Sequence, residues 1–179
     1  MSDAEDLIAG IRQGSRRAIG RAITAVESGG TTGREVLSAI YPHTGGAIRL
    51  GLTGPPGVGK STLISALVAN RRAAGQQVAV VSVDPSSPFT HGAVLGDRIR
   101  LVDHFTDPGV FIRSMASRGQ LGGVSEGTAG AMAVLDAAGF GFRHLLDAVL
   151  VAHHADGLGV EDLHRGALRL LHDLAAILG

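Results

Sequence analysis

The segment Gly54-Pro55-Pro56-Gly57-Val58-Gly59-Lys60-Ser61, with Thr62 behind it, fits the pattern G-x-x-x-x-G-K-[ST] in full. Each part has a chemical reason. Gly54, Gly57 and Gly59 let the backbone take conformations closed to other residues, so successive N–H groups point into one concavity and cradle phosphate oxygens. A helix starting at Lys60 aims its positive end at the same anion. Lys60 has the reach for the β- and γ-phosphates, and the Ser61 hydroxyl is placed to ligate Mg²⁺. Of the sixteen basic residues, Lys60 is the only lysine. An apolar strand pattern before the loop and a helical pattern after it favour phosphate binding over a glycine-rich turn that matches by chance.

Two carboxylates are further candidates. Asp84 closes the apolar run QVAVVSV (77–83). Its carboxylate would emerge at the carboxyl edge of a sheet, where it can hold Mg²⁺ through water or orient an attacking water. Asp-Pro-Ser-Ser-Pro is also good turn chemistry, so spacing alone leaves the choice open. Asp97 follows Gly96 at the start of a helical pattern and, on spacing alone, reads as an N-cap.

The elements that must position these groups follow an α/β rhythm. Residues 3–28 predict one amphipathic helix, apolar at Leu7, Ile8, Ile11, Ile19, Ile23 and Val26, with Arg12, Arg16, Arg17 and Arg21 on a solvated face. A short helix over 34–40 and a loop at Pro42 and Gly45-Gly46 come next. A strand is predicted over 47–53, a helix over 60–74 and a doubly apolar strand over 77–83. A loop over 84–97, a helix over 97–105 and a strand over 109–114 follow. A second glycine-rich loop at 117–123 and a helix over 125–139 complete the pattern. Strands alternating with helices predict a doubly wound parallel sheet.

Composition bounds the reading. A chain of 179 residues with 45% apolar content and a mean hydropathy of +0.25 is long enough for one domain and buries a core. The 27 glycines carry no three-residue period, which excludes collagen. Sixteen acidic residues balance sixteen basic ones, so no global field draws the chain to nucleic acid or an anionic membrane. Without cysteine there are no disulfides or thiolate metal sites. The acidic start Met1-Ser2-Asp3-Ala4-Glu5-Asp6 is unlike a signal peptide, and no apolar run approaches membrane-spanning length, so a soluble cytoplasmic protein is expected.

Gly51-Leu52-Thr53 leading into the loop, VSVDPSSPFT (81–90), LGDRIRL (95–101), FIRSMASRGQLGG (111–123) and AVLDAAGF (133–140) together resemble the MeaB/MMAA, or ArgK-type, GTPases. The resemblance implies a SIMIBI-type P-loop NTPase: a parallel sheet flanked by helices, with an N-terminal helical extension and an incomplete C-terminus. It divides the chain into an extension (1–46), a partial GTPase core (47–140) and a divergent tail (141–179). It implies GTP and Mg²⁺ as cofactors, with Gly54, Pro55, Gly57, Val58, Gly59, Lys60, Ser61 and Thr62 holding the nucleotide. Ser61, Asp84 and Asp97 would serve the metal, and Lys60, Asp84 and Asp97 would be catalytic. Residues 85–96 would form the nucleotide-sensing switch, where His91 replaces an expected glycine, and 113–123 a switch or partner signature. The implied partner is an adenosylcobalamin-dependent acyl-CoA mutase, chiefly methylmalonyl-CoA mutase, and the full-length family implies a homodimer.

Beyond Phe140 the chain departs from that pattern. A strand ending in Glu-Thr-Val-Gly is expected, with its glutamate near position 146, where the chain has Leu146. Five of the eight histidines lie past residue 140. His153-His154 reads as part of a solvated loop, and His164 and His172 lie on a helix expected over 160–178. Asp136-Ala137-Ala138-Gly139 fits D-x-x-G but sits at a helix end and is rejected. The family's guanine-reading Asn-Lys-x-Asp cannot occur, since Asn70 and Lys60 are the only residues of their types. Frameshift or truncation is the favoured explanation of the tail, ahead of divergence or a deliberate fragment. The alternatives to a GTPase are a non-catalytic nucleotide-binding remnant and an ATPase or kinase linked to basic amino-acid transport.

Overall fold

A computed structural model of the chain describes residues 2–54, 58–84, 104–116, 125–140 and 148–154. Local chemistry sets where its helices begin. Ser2 caps α1 (Asp3–Arg12) reciprocally: its hydroxyl accepts from the Glu5 N–H at 3.2 Å, and its own N–H donates to Glu5 Oε2 at 2.7 Å. The single helix predicted over 3–28 is two helices. Gly14 turns left-handed at φ 68°, and Ser15 then caps α2 (Arg16–Ser28) by accepting from the Ala18 N–H. Both helices bury their apolar stripes in one core, so the 3.6-residue period runs through the corner and hides it. A left-handed Gly29 ends α2, and α3 (Thr31–Ile40) starts at Thr31 rather than Arg34.

The strands β1 (Ile48–Gly54), β2 (Val78–Asp84), β3 (Val110–Ala116) and β4 (Ala148–His154) form one sheet in the order β1-β4-β2-β3. Every neighbouring pair is parallel. The helix α4 (Lys60–Ala73) follows β1, and α5 (Glu126–Ala137), capped by the Ser125 hydroxyl on the Thr128 N–H, precedes β4. β4 lies between β1 and β2, with Leu150 in register with both Leu50 and Val80. The segment read as a divergent tail therefore supplies an inner strand. His153-His154, expected in a solvated loop, ends that strand. Ala148-Val149-Leu150-Val151-Ala152 is an unbroken apolar run of the kind inner parallel strands carry, and the histidines behind it obscured the signal.

Period-2 alternation divides the core between the two sheet faces. Val78, Val80 and Val110 pack with Leu52 and with Ile64, Leu67 and Val68 of α4. Ala79, Val81, Val83, Phe111 and Met115 face the other way and join buried residues of α1, α2, α3 and α5. The N-terminal helices thus share the sheet's larger core. Each fully buried valine there contributes roughly 1.5–3 kcal/mol. Phe111 and Phe140 meet edge to face at 5.6 Å between ring centroids.

Candidate functional site

The carboxyl ends of the strands converge on one edge of the sheet. Gly54 is in register with His154, Val83 with His153, and Asp84 with Ala116. In open parallel sheets this edge is where ligands bind. The N-terminus of α4 arrives there directly from β1, across the glycine-rich loop.

Two glycines at the loop's ends take positive φ, 151° at Gly54 and 91° at Gly59. Gly59 is the N-cap of α4. Nothing lies within 4 Å of where its Cβ would be, so the demand for glycine is conformational and that side of the loop stays open. Lys60 opens the helix, and its ammonium donates to the Gly54 carbonyl at 2.6 Å, tying the two ends of the loop together. Ser61 lies in the same first turn and is half-buried, while Thr62 and Val58 are exposed. Arg71 and Arg72 in the last turn complement the helix dipole, whose positive end faces the loop.

Asp84 is the last residue of β2, as its place after the apolar run predicts. One strand separates β2 from β1, so its backbone lies about 10 Å from Gly54 across the sheet, two inter-strand spacings. The fold therefore gathers Gly54, Gly59, Lys60 and Ser61 at one point and sets Asp84 on the same edge. Pro55, Gly57 and Asp97 lie outside the described residues, as do His91, the switch segment 85–96 and most of the helix expected over 97–105. So do the loop at 117–123, Leu146, and the helix expected over 160–178. The expected glutamate near 146 falls before β4 begins, and the residues at the end of that strand are His153 and His154.

Sequence reasoning missed two carboxyl groups that hold the frame. Asp136, nearly closed to solvent in the last turn of α5, accepts from the Gly45 N–H at 2.7 Å and the Ala47 N–H at 3.2 Å, with Arg49 Nη2 at 3.5 Å. It fixes the chain where it enters β1, a structural role that agrees with rejecting the D-x-x-G match. Its signal was a lone aspartate in the apolar helix AMAVLDAA. Asp107 makes a two-pronged ion pair with Arg72, Oδ2 to Nε at 2.8 Å and Oδ1 to Nη2 at 2.9 Å, and accepts from the Gly109 N–H at 2.8 Å. The Arg72 hydrogen bonds, followed by that of Gly109, hold its carboxyl below the ordinary aspartate range. This pair ties the end of α4 to the start of β3.

Residues 19–154 match the family model described as methylmalonyl Co-A mutase-associated GTPase MeaB. The chain belongs to the MeaB family. Among the relatives of this MeaB-family chain, a Pyrococcus abyssi protein named as a GTPase is 54% identical over 135 residues, covering 75% of this chain and 42% of its own length. The Escherichia coli GTPase ArgK is 42% identical over 134 residues, covering 73% of this chain and 40% of its own. The crystal structure of an LAO/AO transport system kinase superposes with a TM-score of 0.62 at 31% identity, covering 86% of this chain and 44% of that one. The chain thus spans about two-fifths of the length of the curated relatives it matches. The match runs past Phe140 to the end of β4, so the family pattern extends beyond the point where the motifs stop.

Proposed function

We propose that the chain binds GTP with Mg²⁺ and hydrolyses it, and that its nucleotide state gates contact with an adenosylcobalamin-dependent mutase of the methylmalonyl-CoA type. The observation that carries this reading is the Lys60 ammonium seated on the Gly54 carbonyl, at the mouth of α4 on the sheet's carboxyl edge. Membership of a GTPase family supports it.

The groups at the sheet's carboxyl edge fit the ligand. An open side at Gly59, the positive end of α4 and a primary ammonium suit a polyphosphate. Hydroxyl and carboxyl oxygens from Ser61 and Asp84 suit the hard cation, with Asp97 as a further donor. Bound Mg²⁺ supplies charge neutralisation at the phosphates. Lys60 exchanges the Gly54 carbonyl for β- and γ-phosphate oxygens, the backbone N–H groups of Gly57, Val58 and Gly59 orient the chain of phosphates, Gly54 and Pro55, which has no N–H to donate, shape the turn, and Thr62 extends the cradle along α4. Charge building on the transferred phosphoryl group is then met by donors already in place, which lowers the barrier electrostatically. In this reading residues 1–46 form the extension, 47–140 the core and 141–179 the tail, the protein works in the cytoplasm, and the full-length form pairs as a homodimer.

A second reading is a nucleotide-binding module without turnover or base selectivity. It accommodates the lack of an Asn-Lys-x-Asp sequence within these 179 residues. Calorimetry with Mg²⁺-GTP and Mg²⁺-ATP, paired with a phosphate-release assay, separates the two. Release of phosphate from GTP supports the GTPase. Affinities within a few-fold of one another and no release establish the second reading. A hundred-fold GTP preference, about 2.7 kcal/mol, would show that residues outside that motif read the base.

A further inference from the structure

The arginines that α2 turns away from the core do not simply face solvent. Arg16, Arg17 and Arg21 of α2 and Arg113 of β3 line one open groove of about 480 Å³, floored by Gly20, Thr24 and Ala25. The groove lies on the helical face of the sheet, beside Phe111 and Met115, whereas the glycine-rich loop feeds α4 on the opposite face. It is a different place from the nucleotide site.

Three of the four guanidiniums are held in position. Arg16 donates through Nη1 to the Val110 carbonyl at 2.7 Å and the Pro108 carbonyl at 3.2 Å, and lies 5.5 Å from the Phe111 ring centroid. Arg21 pairs with Asp3 at 2.5 Å. Arg113 donates through Nη2 to Thr24 Oγ1 at 3.1 Å and Glu27 Oε2 at 3.3 Å, while its buried Nε has no hydrogen-bond partner among the described residues. Arg17 is exposed and free to swing over the groove. Among the described residues Asp3 and Glu27 pair with Arg21 and Arg113, while Arg16 and Arg17 make no ion pair with a carboxylate. Like charges are gathered here at a cost in repulsion, and an anion would relieve it.

We infer that this groove is an anion site for a small phosphorylated ligand carrying at least two phosphate charges. The groove is open rather than enclosed, so a ligand there is held by charge and paired hydrogen bonds at the surface. Guanidiniums present paired donors that match phosphate oxygens, and three fixed ones reduce the ordering needed on binding. The notch at Gly20, where a Cβ would meet nothing within 4 Å, leaves the groove floor open to the ligand.

The test uses inorganic pyrophosphate as the probe, on the full chain carrying Lys60→Ala so that the glycine-rich loop does not compete. Calorimetry should show one site whose affinity falls at least ten-fold on adding Arg17→Gln, and again on adding Arg113→Gln. Far-UV circular dichroism and melting curves verify that both added variants fold, and Arg17, being exposed, serves if Arg113→Gln does not. No pyrophosphate binding in the Lys60→Ala chain, or binding indifferent to Arg17→Gln, overturns the inference. A poly-glutamate peptide run in parallel should bind more weakly. Tighter binding of that peptide would show an acidic protein surface as the occupant and overturn it as well. A loop that still binds nucleotide after Lys60→Ala would refute the nucleotide site alone, because only the groove depends on Arg17.

Discussion

The Lys60 ammonium donates to the Gly54 carbonyl in the loop. Its hold on the Gly54 carbonyl keeps a long flexible side chain beside the proposed phosphate site, so little ordering would remain at binding. Arg72 and Asp107 work differently: they make a structural clamp, and its pH response can be worked out. Asp107 titrates below its ordinary value in the folded chain. A lowered folded-state pKa contributes stability at pH values above the unfolded pKa and loses it as pH falls through the folded one. Asp107→Asn should therefore melt earlier than the parent at neutral pH, and the gap should close in acid, below the usual carboxyl range. Melting curves for both chains across that range check this, and a gap that persists unchanged in acid contradicts it. Legibility at this scale was uneven. Lys60 and Ser61 announce themselves by pattern, whereas Asp107 and Asp136 depend on partners 35 and 91 residues away, which no local pattern shows.

At the scale of elements, β1, β2 and β3 were legible as apolar-rich segments between turn residues, whereas β4 was not, because its run ends in two histidines. Helix limits read less well. The Gly14-Ser15 corner carried a usable signal, a left-handed residue followed by a capping hydroxyl, but the apolar period ran straight across it. The join of α2 to α3 also depends on a close approach. A Cβ on Gly33 would lie 2.9 Å from both the Ala25 carbonyl carbon and the Val26 Cα, and backbone cannot swing aside as a side chain does. Gly33→Ala should cost about 1–3 kcal/mol. Gly20→Ala, with nothing within 4 Å of its Cβ, should stabilise α2 by roughly 0.5–1 kcal/mol. Denaturant titrations of the two variants provide the comparison, and equal effects at both glycines would contradict the packing account.

For the whole molecule, β4 is the instructive case. Motif matching stopped at Phe140, yet the sheet takes an inner strand from beyond it, because an inner position needs an apolar strand of the right length and not a particular signature. With β4 in place the carboxyl edge is continuous from β1 to β3, and the loop between β1 and α4 opens onto it. The account rests on that edge being a phosphate site governed by Lys60. Calorimetry of Mg²⁺-GTP binding to the parent chain and to Lys60→Ala tests it most directly. The parent should bind one nucleotide, and Lys60→Ala should show no measurable heat of binding while keeping its fold by circular dichroism. Equal affinity in the two chains would contradict the account.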